Sequence, residues 1–337
     1  MIKKAMIMAA GVGSRLDPLT QDVPKPLVPI ANRPVMDILF EQLLNIGVKD
    51  VVANTYYKAE QIIQRYKNND IGINFNYITE KELSGTAGGV KKCQFFFEEG
   101  EDFLILSADG LSNADLQAAI KSHKDSGAIA SIGIKKIALE EIPNFGVVVT
   151  DKNGFIKGFQ EKPSIKDAKS DYINTGIYIF NYKIFNYIPE NTFYDFAKNV
   201  FPDLLSKDIK INTFPVKEYW SDIGTIEQYS QSTKDLFNNL YKINHSEIIK
   251  APQGAYIKGK SHISQSATFI GFNTIGENCI IGKNVVLKDC IIWDDVEIKD
   301  NLKLENCIIA SHSEINSNMI NQTVGPNQII SRGVYNS

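Results

Sequence analysis

The sequence predicts a mostly parallel, doubly wound α/β sheet followed by a short β-helix. Strand-like and helix-like runs alternate from residue 1 to about 220. The first apolar run opens directly into a Gly-x-Gly turn, as a buried strand at the start of such a sheet does. From Ile257 onward, apolar residues recur every sixth position.

In chain order, Ala5–Ala9, Asp50–Asn54, Ile73–Ile78 and Phe103–Ser107 read as strands. Between them, Val35–Ile46 reads as a helix opened by Arg33-Pro34 and stopped by Gly47. Lys58–Tyr66 and Thr86–Phe97 are the next helices, and Asn113 is the expected N-cap of one running to about Lys124. Ile129–Ile134, Gly146–Thr150, Phe155–Gln160 and Ile173–Phe180 extend the strand set, with Asp151-Lys152-Asn153-Gly154 as a hairpin turn. Ile226–Leu240 reads as a linking helix. The expected division is a first domain at 1–225, a linking region at 226–250 and a repeat domain at 251–337.

The repeat has two registers. One runs Ile257, Ile263, Phe269, Ile275, Ile281, Leu287, and the other Ile280, Val286, Ile292, Ile298, Leu304. Each short side of a triangular coil buries one apolar residue, so this length is enough for roughly three coils. Such a coil leaves strand edges and an apolar-containing face that self-association covers, so a homo-oligomer through this domain is expected.

Composition excludes several classes. Of 337 residues, 43% are apolar and 22% charged, ordinary for a globular chain, and a net charge of −3 gives no nucleic-acid footprint. Any anionic ligand must therefore be held by local cations. Cys93, Cys279, Cys290 and Cys307 are widely spaced and fit reduced thiols in a cytoplasmic protein. Lys3-Lys4 precedes an apolar run too short for a leader, and no stretch approaches a membrane span.

The turn Ala10-Gly11-Val12-Gly13-Ser14-Arg15 carries the chemistry. Glycines let backbone N–H groups converge on an anion. Arg15 adds a fork suited to a polyphosphate, and Lys25 a point-like cation. A P-loop would need Gly-Lys-Ser/Thr, whereas this turn continues Gly13-Ser14-Arg15. A dinucleotide fingerprint would need a third glycine where Leu16 stands. In sheets of this type ligands bind beyond the carboxyl ends of the strands, where Gly11–Arg15 and Asp109 both fall.

The run Met6–Leu16, with Pro24-Lys25-Pro26-Leu27-Val28-Pro29 and Arg33-Pro34-Val35-Met36, closely resembles the nucleotidyltransferases that make nucleoside-diphosphate sugars. The C-terminal pattern resembles the left-handed hexapeptide repeat. The resemblance implies a Rossmann-like mixed sheet, then a left-handed β-helix. It also implies attack by a sugar 1-phosphate on the α-phosphorus of a nucleoside triphosphate, with Mg2+ and release of pyrophosphate. Ala10, Gly11, Gly13, Ser14, Arg15 and Lys25 would then hold the triphosphate. Ser14 stands where threonine is usual. Arg15, Lys25 and Asp109 would be catalytic, and Asp109 and Asp222 would carry the metal. Taken alone, either aspartate reads as a turn residue.

Asn144–Val149, Phe159–Pro163 and Ile173–Phe180 resemble the family's sugar-binding elements, which implies sugar-phosphate roles for Gly146, Glu161, Lys162, Asn174 and Gly176. An exposed Glu161-Lys162 pair would otherwise be an ordinary solvated pair, and Phe145 replaces a frequent tyrosine. Thr79–Gly89 resembles the base-side loop, with Glu80, Gly85 and Thr86 as nucleotide contacts. A carboxylate at 80 only accepts, which suits the paired N–H groups of guanine, and Gly85-Thr86-Ala87-Gly88 resembles the mannose-1-phosphate guanylyltransferases, which together imply GTP and mannose 1-phosphate as substrates. Glucose or heptose 1-phosphate with dTTP or another triphosphate is the alternative. A silent nucleotide-sugar-binding subunit is a second class, opposed by the full set Arg15, Lys25, Asp109, Glu161, Lys162 and Asp222. His123, His245, His262 and His312 lie outside every motif and read as structural.

Overall fold

A computed structural model describes residues 2–68, 70–238, 248–250 and 255–331. Two compact units emerge: Met1–Gly11 with Leu39–Asp222, and Val12–Ile38 with Ile223–Ser337. Val12–Ile38 therefore groups with the C-terminal unit, and the other division falls at Asp222/Ile223. Residues 239–247 of the expected linking region, His245 among them, and the start of the expected repeat domain at 251 lie outside the described residues.

In the first unit β1 (Lys4–Ala9), β2 (Asp50–Thr55), β3 (Asn74–Thr79) and β4 (Asp102–Ser107) are all parallel. Their order is β3-β2-β1-β4. Met6 stands between Val52 and Ile105, all three fully buried, which is the two-faced burial a continuous apolar strand requires. After β4 come β5 (Gly110–Ser112), β6 (Ala130–Lys136), β7 (Gly146–Thr150), β8 (Ile156–Glu161), β9 (Tyr172–Asn181), β10 (Ile211–Pro215) and β11 (Trp220–Asp222). Strand β9 runs antiparallel to β4, making the sheet mixed, and also pairs with β6 and, at Ile173, with β7. Short strands β5 and β11 form a separate antiparallel ribbon.

Helices α1 (Val35–Asn45), α2 (Ala59–Tyr66), α3 (Gly85–Lys92) and α4 (Leu116–Ser126) match the amphipathic runs. The expected helix Thr86–Phe97 breaks after Lys92 into a 3-10 turn at Gln94–Phe96. The cap of α4 is Asp115, which accepts from the Ala118 N–H, and not Asn113. The Asn113 N–H is instead committed to the Tyr219 carbonyl. The hairpin turn forms as expected: Asp151 Oδ1 accepts from the N–H groups of Phe155 and Asn153, which hold its carboxyl below the usual range. Helices α5 (Phe201–Ser206) and α6 (Ile226–Phe237) follow; α6 is capped by Thr225.

The second unit holds a left-handed β-helix with three parallel sheets. Ile263, Ile281, Ile298, Ile315 and Ile330 stack on one side, and Phe269, Leu287, Leu304 and Met319 on another. Two sides have five parallel rungs and the third has four, more than the roughly three coils expected. The step is three hexapeptides in the first coil and shorter thereafter. Consequently the second apolar register turns inward only from Ile292, and Ile280 faces solvent. Corners are turned by left-handed Asn, Asp and His residues, including Asn278, Asp295, His312 and Asn327, whose φ values lie between 56° and 61°. Cys279, Cys290 and Cys307 are buried free thiols in this core, and burial pushes Cys279 up to about 11. They are packing groups, not nucleophiles.

Segment Val12–Ile38 docks on this unit. Asn32, itself left-handed, donates to the Ile275 carbonyl at 2.7 Å. The Tyr229 hydroxyl donates to the Pro29 carbonyl at 2.7 Å and accepts from Trp293 Nε1 at 2.9 Å. Asn327 donates to Asp22 at 2.6 Å.

His123 is buried in the first unit, with Nδ1 2.7 Å from Ser131 Oγ and Nε2 3.6 Å from Asp102. Desolvation lowers its pKa below 6.5, and Asp102 only partly offsets this. The folded chain thus holds a neutral ring that the unfolded chain protonates more readily. Its contribution is complete above about pH 6.5 and is lost as pH falls from there toward the lower folded value. Urea denaturation at pH 7.5 and 5.5 checks this: wild type should lose more stability across the interval than His123→Gln.

Candidate functional site

In the first unit the site is built at the carboxyl end of β4. Asp109 follows that strand, and Ser107 Oγ donates to its Oδ1 at 2.5 Å. In the adjoining ribbon Asp222 pairs in register with Gly110. One carboxylate thus stands in the turn before Gly110 and the other pairs with Gly110, although the chain separates them widely. Among the described residues no group of three or more His, Cys, Asp or Glu gathers as a metal cage. A two-carboxylate set suits an ion that keeps water and shares substrate phosphates, as Mg2+ does.

Ser107 also links Asp109 to β9. Gly176 has φ 73°, and a Cβ there would lie 3.1 Å from Ser107 Cβ. Asn174 Oδ1 accepts from the Gly176 N–H at 3.0 Å, while its Nδ2 donates to the Tyr178 hydroxyl at 2.9 Å. Burial pushes that hydroxyl's pKa up, so Tyr178 stays a neutral partner. Trp220 Nε1 donates to the Thr175 carbonyl, and its ring meets Phe145 edge-on.

A cleft of about 410 Å3 opens beside these residues, lined by Gly146, Phe159, Glu161, Asn174 and Lys198 among others. Three of the five expected sugar-phosphate residues therefore share one cavity. Lys162 does not line it. Its N–H donates to the Phe145 carbonyl from a left-handed backbone, φ 45°, an unfavourable conformation for a lysine.

Gly85 and Thr86 have structural partners. At Gly85, φ 76°, an added Cβ would run into the Tyr194 backbone carbonyl. That carbonyl accepts from the N–H groups of Ala87 and Gly88, so it closes the start of α3. The Thr86 hydroxyl donates to Asp195 at 2.8 Å and accepts from the Phe196 N–H.

Glu80 requires a correction. Its side chain is only 1% exposed. Oε1 accepts from Asn54 Nδ2 at 2.7 Å, and Oε2 accepts from the Ser84 N–H, the Ser84 hydroxyl and Lys92 Nζ. The carboxylate is spent on the protein and is closed to a base. Asn54, which the sequence reading passed over, receives the Ala9 N–H on its Oδ1 at 3.1 Å. A polar residue ending the apolar run Val51-Val52-Ala53 was the available signal.

In the second unit Gly13 has φ 76°, and a Cβ would crowd Lys25 Cβ at 3.0 Å and Thr20 Cγ2 at 3.2 Å. Thr20 donates to the Gly13 carbonyl at 2.9 Å. Ser14 and Arg15 form a 3-10 turn pinned by buried Leu16, whose N–H also bonds the Gly13 carbonyl. Gly13, Ser14, Arg15 and Lys25 are thus one local cluster. Ala10 and Gly11 belong to the first unit, beyond β1.

Comparison with known proteins bears on this geometry. The family model described as nucleotidyl transferase matches residues 4–239, and a model described as GMPPB C-terminal domain matches 252–335. A UTP–glucose-1-phosphate uridylyltransferase of Synechocystis is 34% identical over 82% of this chain and 79% of its own length. A probable mannose-1-phosphate guanylyltransferase 3 of Oryza sativa is 33% identical over 83% of this chain and 74% of its own. A glucose-1-phosphate adenylyltransferase of Mycoplasma mobile is 32% identical, covering 71% of this chain and 69% of its own. The fold is shared with a solved UDP-glucose pyrophosphorylase in complex with UDP-glucose, at TM-score 0.63 and 22% identity over 71% of this chain and 99% of that one.

Gly176→Ala tests the link through Ser107. The left-handed backbone and the 3.1 Å approach should together cost about 1–3 kcal/mol, read as a lower urea midpoint with an unchanged slope.

Proposed function

This chain belongs to the nucleotidyl transferase family and is a sugar-1-phosphate nucleotidyltransferase, and we propose that it moves a guanylyl group from GTP to mannose 1-phosphate. The observation that carries the substrate half is the cleft shared by Gly146, Glu161 and Asn174, the last of which is linked to Ser107 and Asp109 through Gly176. Its size accommodates a hexose, and Glu161 and Asn174 supply an acceptor and an amide for sugar hydroxyls. Lys162 is assigned to the sugar phosphate.

The proposed step is an in-line displacement. A phosphate oxygen of the sugar 1-phosphate forms a bond to the α-phosphorus as the bond to the bridging oxygen breaks, and pyrophosphate leaves with that oxygen. Ala10, Gly11, Gly13 and Ser14 present backbone and hydroxyl donors to the triphosphate. Arg15 and Lys25 offset the charge on the departing pyrophosphate. Asp109 and Asp222 would hold Mg2+, which supplies charge neutralisation across the phosphates. The remaining work is positioning, to which side chains fixed on β4, β9 and β11 are suited.

Support for guanine comes from the guanylyltransferase relatives and the GMPPB-type C-terminal match, since Glu80 is closed to the base. The second reading, uridylyl or other nucleotidyl transfer to glucose 1-phosphate, is favoured by the Synechocystis relative at comparable identity. Buried, unpaired cysteines suit a reducing cytoplasm. Among the described residues no helix is long and apolar enough to cross a membrane. Self-association is assigned to the β-helix, where Ile270, Ile280, Ile320 and Ile329 stand exposed.

Pyrophosphate release with Mg2+, crossing five nucleoside triphosphates against mannose, glucose and heptose 1-phosphates, tests the reading. GTP with mannose 1-phosphate should give the highest kcat/KM; a preference for UTP with glucose 1-phosphate selects the second reading. Asp109→Asn and Asp222→Asn should each retain the fold by circular dichroism and lower kcat by on the order of 100-fold or more.

A further inference from the structure

We infer that Glu80 is a positioning residue for the triphosphate loop: acting through Asn54, it fixes the Ala9 backbone N–H and so the path of the chain into Ala10 and Gly11. The inference rests on the nucleotidyl-transfer reading above. Its basis is a directional chain of hydrogen bonds. The Ala9 N–H can only donate, so Asn54 must turn Oδ1 toward it, at 3.1 Å. Asn54 Nδ2 is then left facing Glu80 Oε1 at 2.7 Å, and a carboxylate only accepts. The other oxygen, Oε2, meets three donors, namely the Ser84 N–H, the Ser84 hydroxyl and Lys92 Nζ. Every group in the chain has one permitted orientation.

The surroundings are shaped for this contact. Asn54 is buried, and Gly89 of α3 lies against its amide so closely that any Cβ at 89 would collide with Nδ2. Strands β1, β2 and β3 end together there, contributing Ala9, Asn54 and, one residue past Thr79, Glu80. Lys92 supplies the counter-charge from a side chain about one-third exposed, 35%.

Glutamine at 80 has the same shape and breaks the logic. With its carbonyl toward Asn54, its NH2 faces the donors of Ser84 and Lys92. With its NH2 toward Asn54, that amide must flip and turn a donor on the Ala9 N–H. Neither arrangement satisfies all the buried donors, so the loop path must shift.

The experiment compares wild type, Glu80→Gln and Lys92→Met in two ways. Calorimetry measures binding of inorganic tripolyphosphate with Mg2+, a probe that has the phosphates and lacks a base. Steady-state assays measure kcat/KM with GTP, UTP and dTTP at a temperature well below the melting transition of each variant. Glu80→Gln should weaken tripolyphosphate about tenfold and lower kcat/KM by a similar factor for each accepted nucleotide, leaving their ratios unchanged. Lys92→Met, altered at a more exposed side chain, should shift both readouts in the same direction and answers the question if Glu80→Gln does not fold. A loss confined to GTP, with tripolyphosphate binding intact, would restore base reading to Glu80 and overturn the inference. A lowered melting temperature with unchanged binding and kcat/KM would overturn it in favour of plain stabilisation. Wild type that binds tripolyphosphate but releases no pyrophosphate from any pair defeats the nucleotidyl-transfer reading, while the binding comparison still decides the role of Glu80.

Discussion

Three parallel strands end at one level, and a single buried carboxylate ties their ends together. Glu80, Asn54 and the Ala9 N–H form a chain in which each donor meets an acceptor. An unpaired amide or carboxylate in this position would be costly, because buried polar groups lose water without replacement. The geometry of the first glycine turn therefore depends on a residue just past the end of a different strand. Small size at Gly89 and a cation at Lys92 are conditions for that arrangement.

The second unit applies a different constraint. A β-helix buries one apolar side chain per short side, so its cross-section is uniform and its outer carbonyls and rings occur at regular heights. Ile275 offers a carbonyl to Asn32, and Trp293 orients the Tyr229 hydroxyl onto Pro29. Burial keeps Tyr229 protonated and able to donate. The stretch that carries Gly13, Arg15 and Lys25 is thus anchored by the repeat domain, which gives that domain a structural role besides any in assembly.

Around Asp109 the governing fact is economy of space. Gly176 admits Ser107, Ser107 holds Asp109, and Asn174 closes the turn beneath Gly176. The residues proposed for the metal and for the sugar are therefore connected through two small residues, Ser107 and Gly176. The left-handed Lys162 marks where the backbone accepts strain at the end of β8.

The sequence by itself determined the alternation of strands and helices, the hairpin at Asp151, the hexapeptide coil and the glycine turn that follows the first strand. These follow from local rules: apolar period, turn chemistry and residue types that neighbours in the chain can satisfy. Coil count and inward register were legible only in part, because shortening one coil by a residue moves every later side chain and no local pattern marks that step. Tertiary structure alone decided that Glu80 is internal, that Asn54 supports the loop and that Val12–Ile38 belongs with the β-helix. Each depends on at least one distant partner, from the 26 positions between Asn54 and Glu80 to the 305 between Asp22 and Asn327. A carboxylate among Lys81, Glu82 and Ser84 looks exposed in one dimension. It becomes buried because α3 folds back over it and brings the donors that make burial affordable.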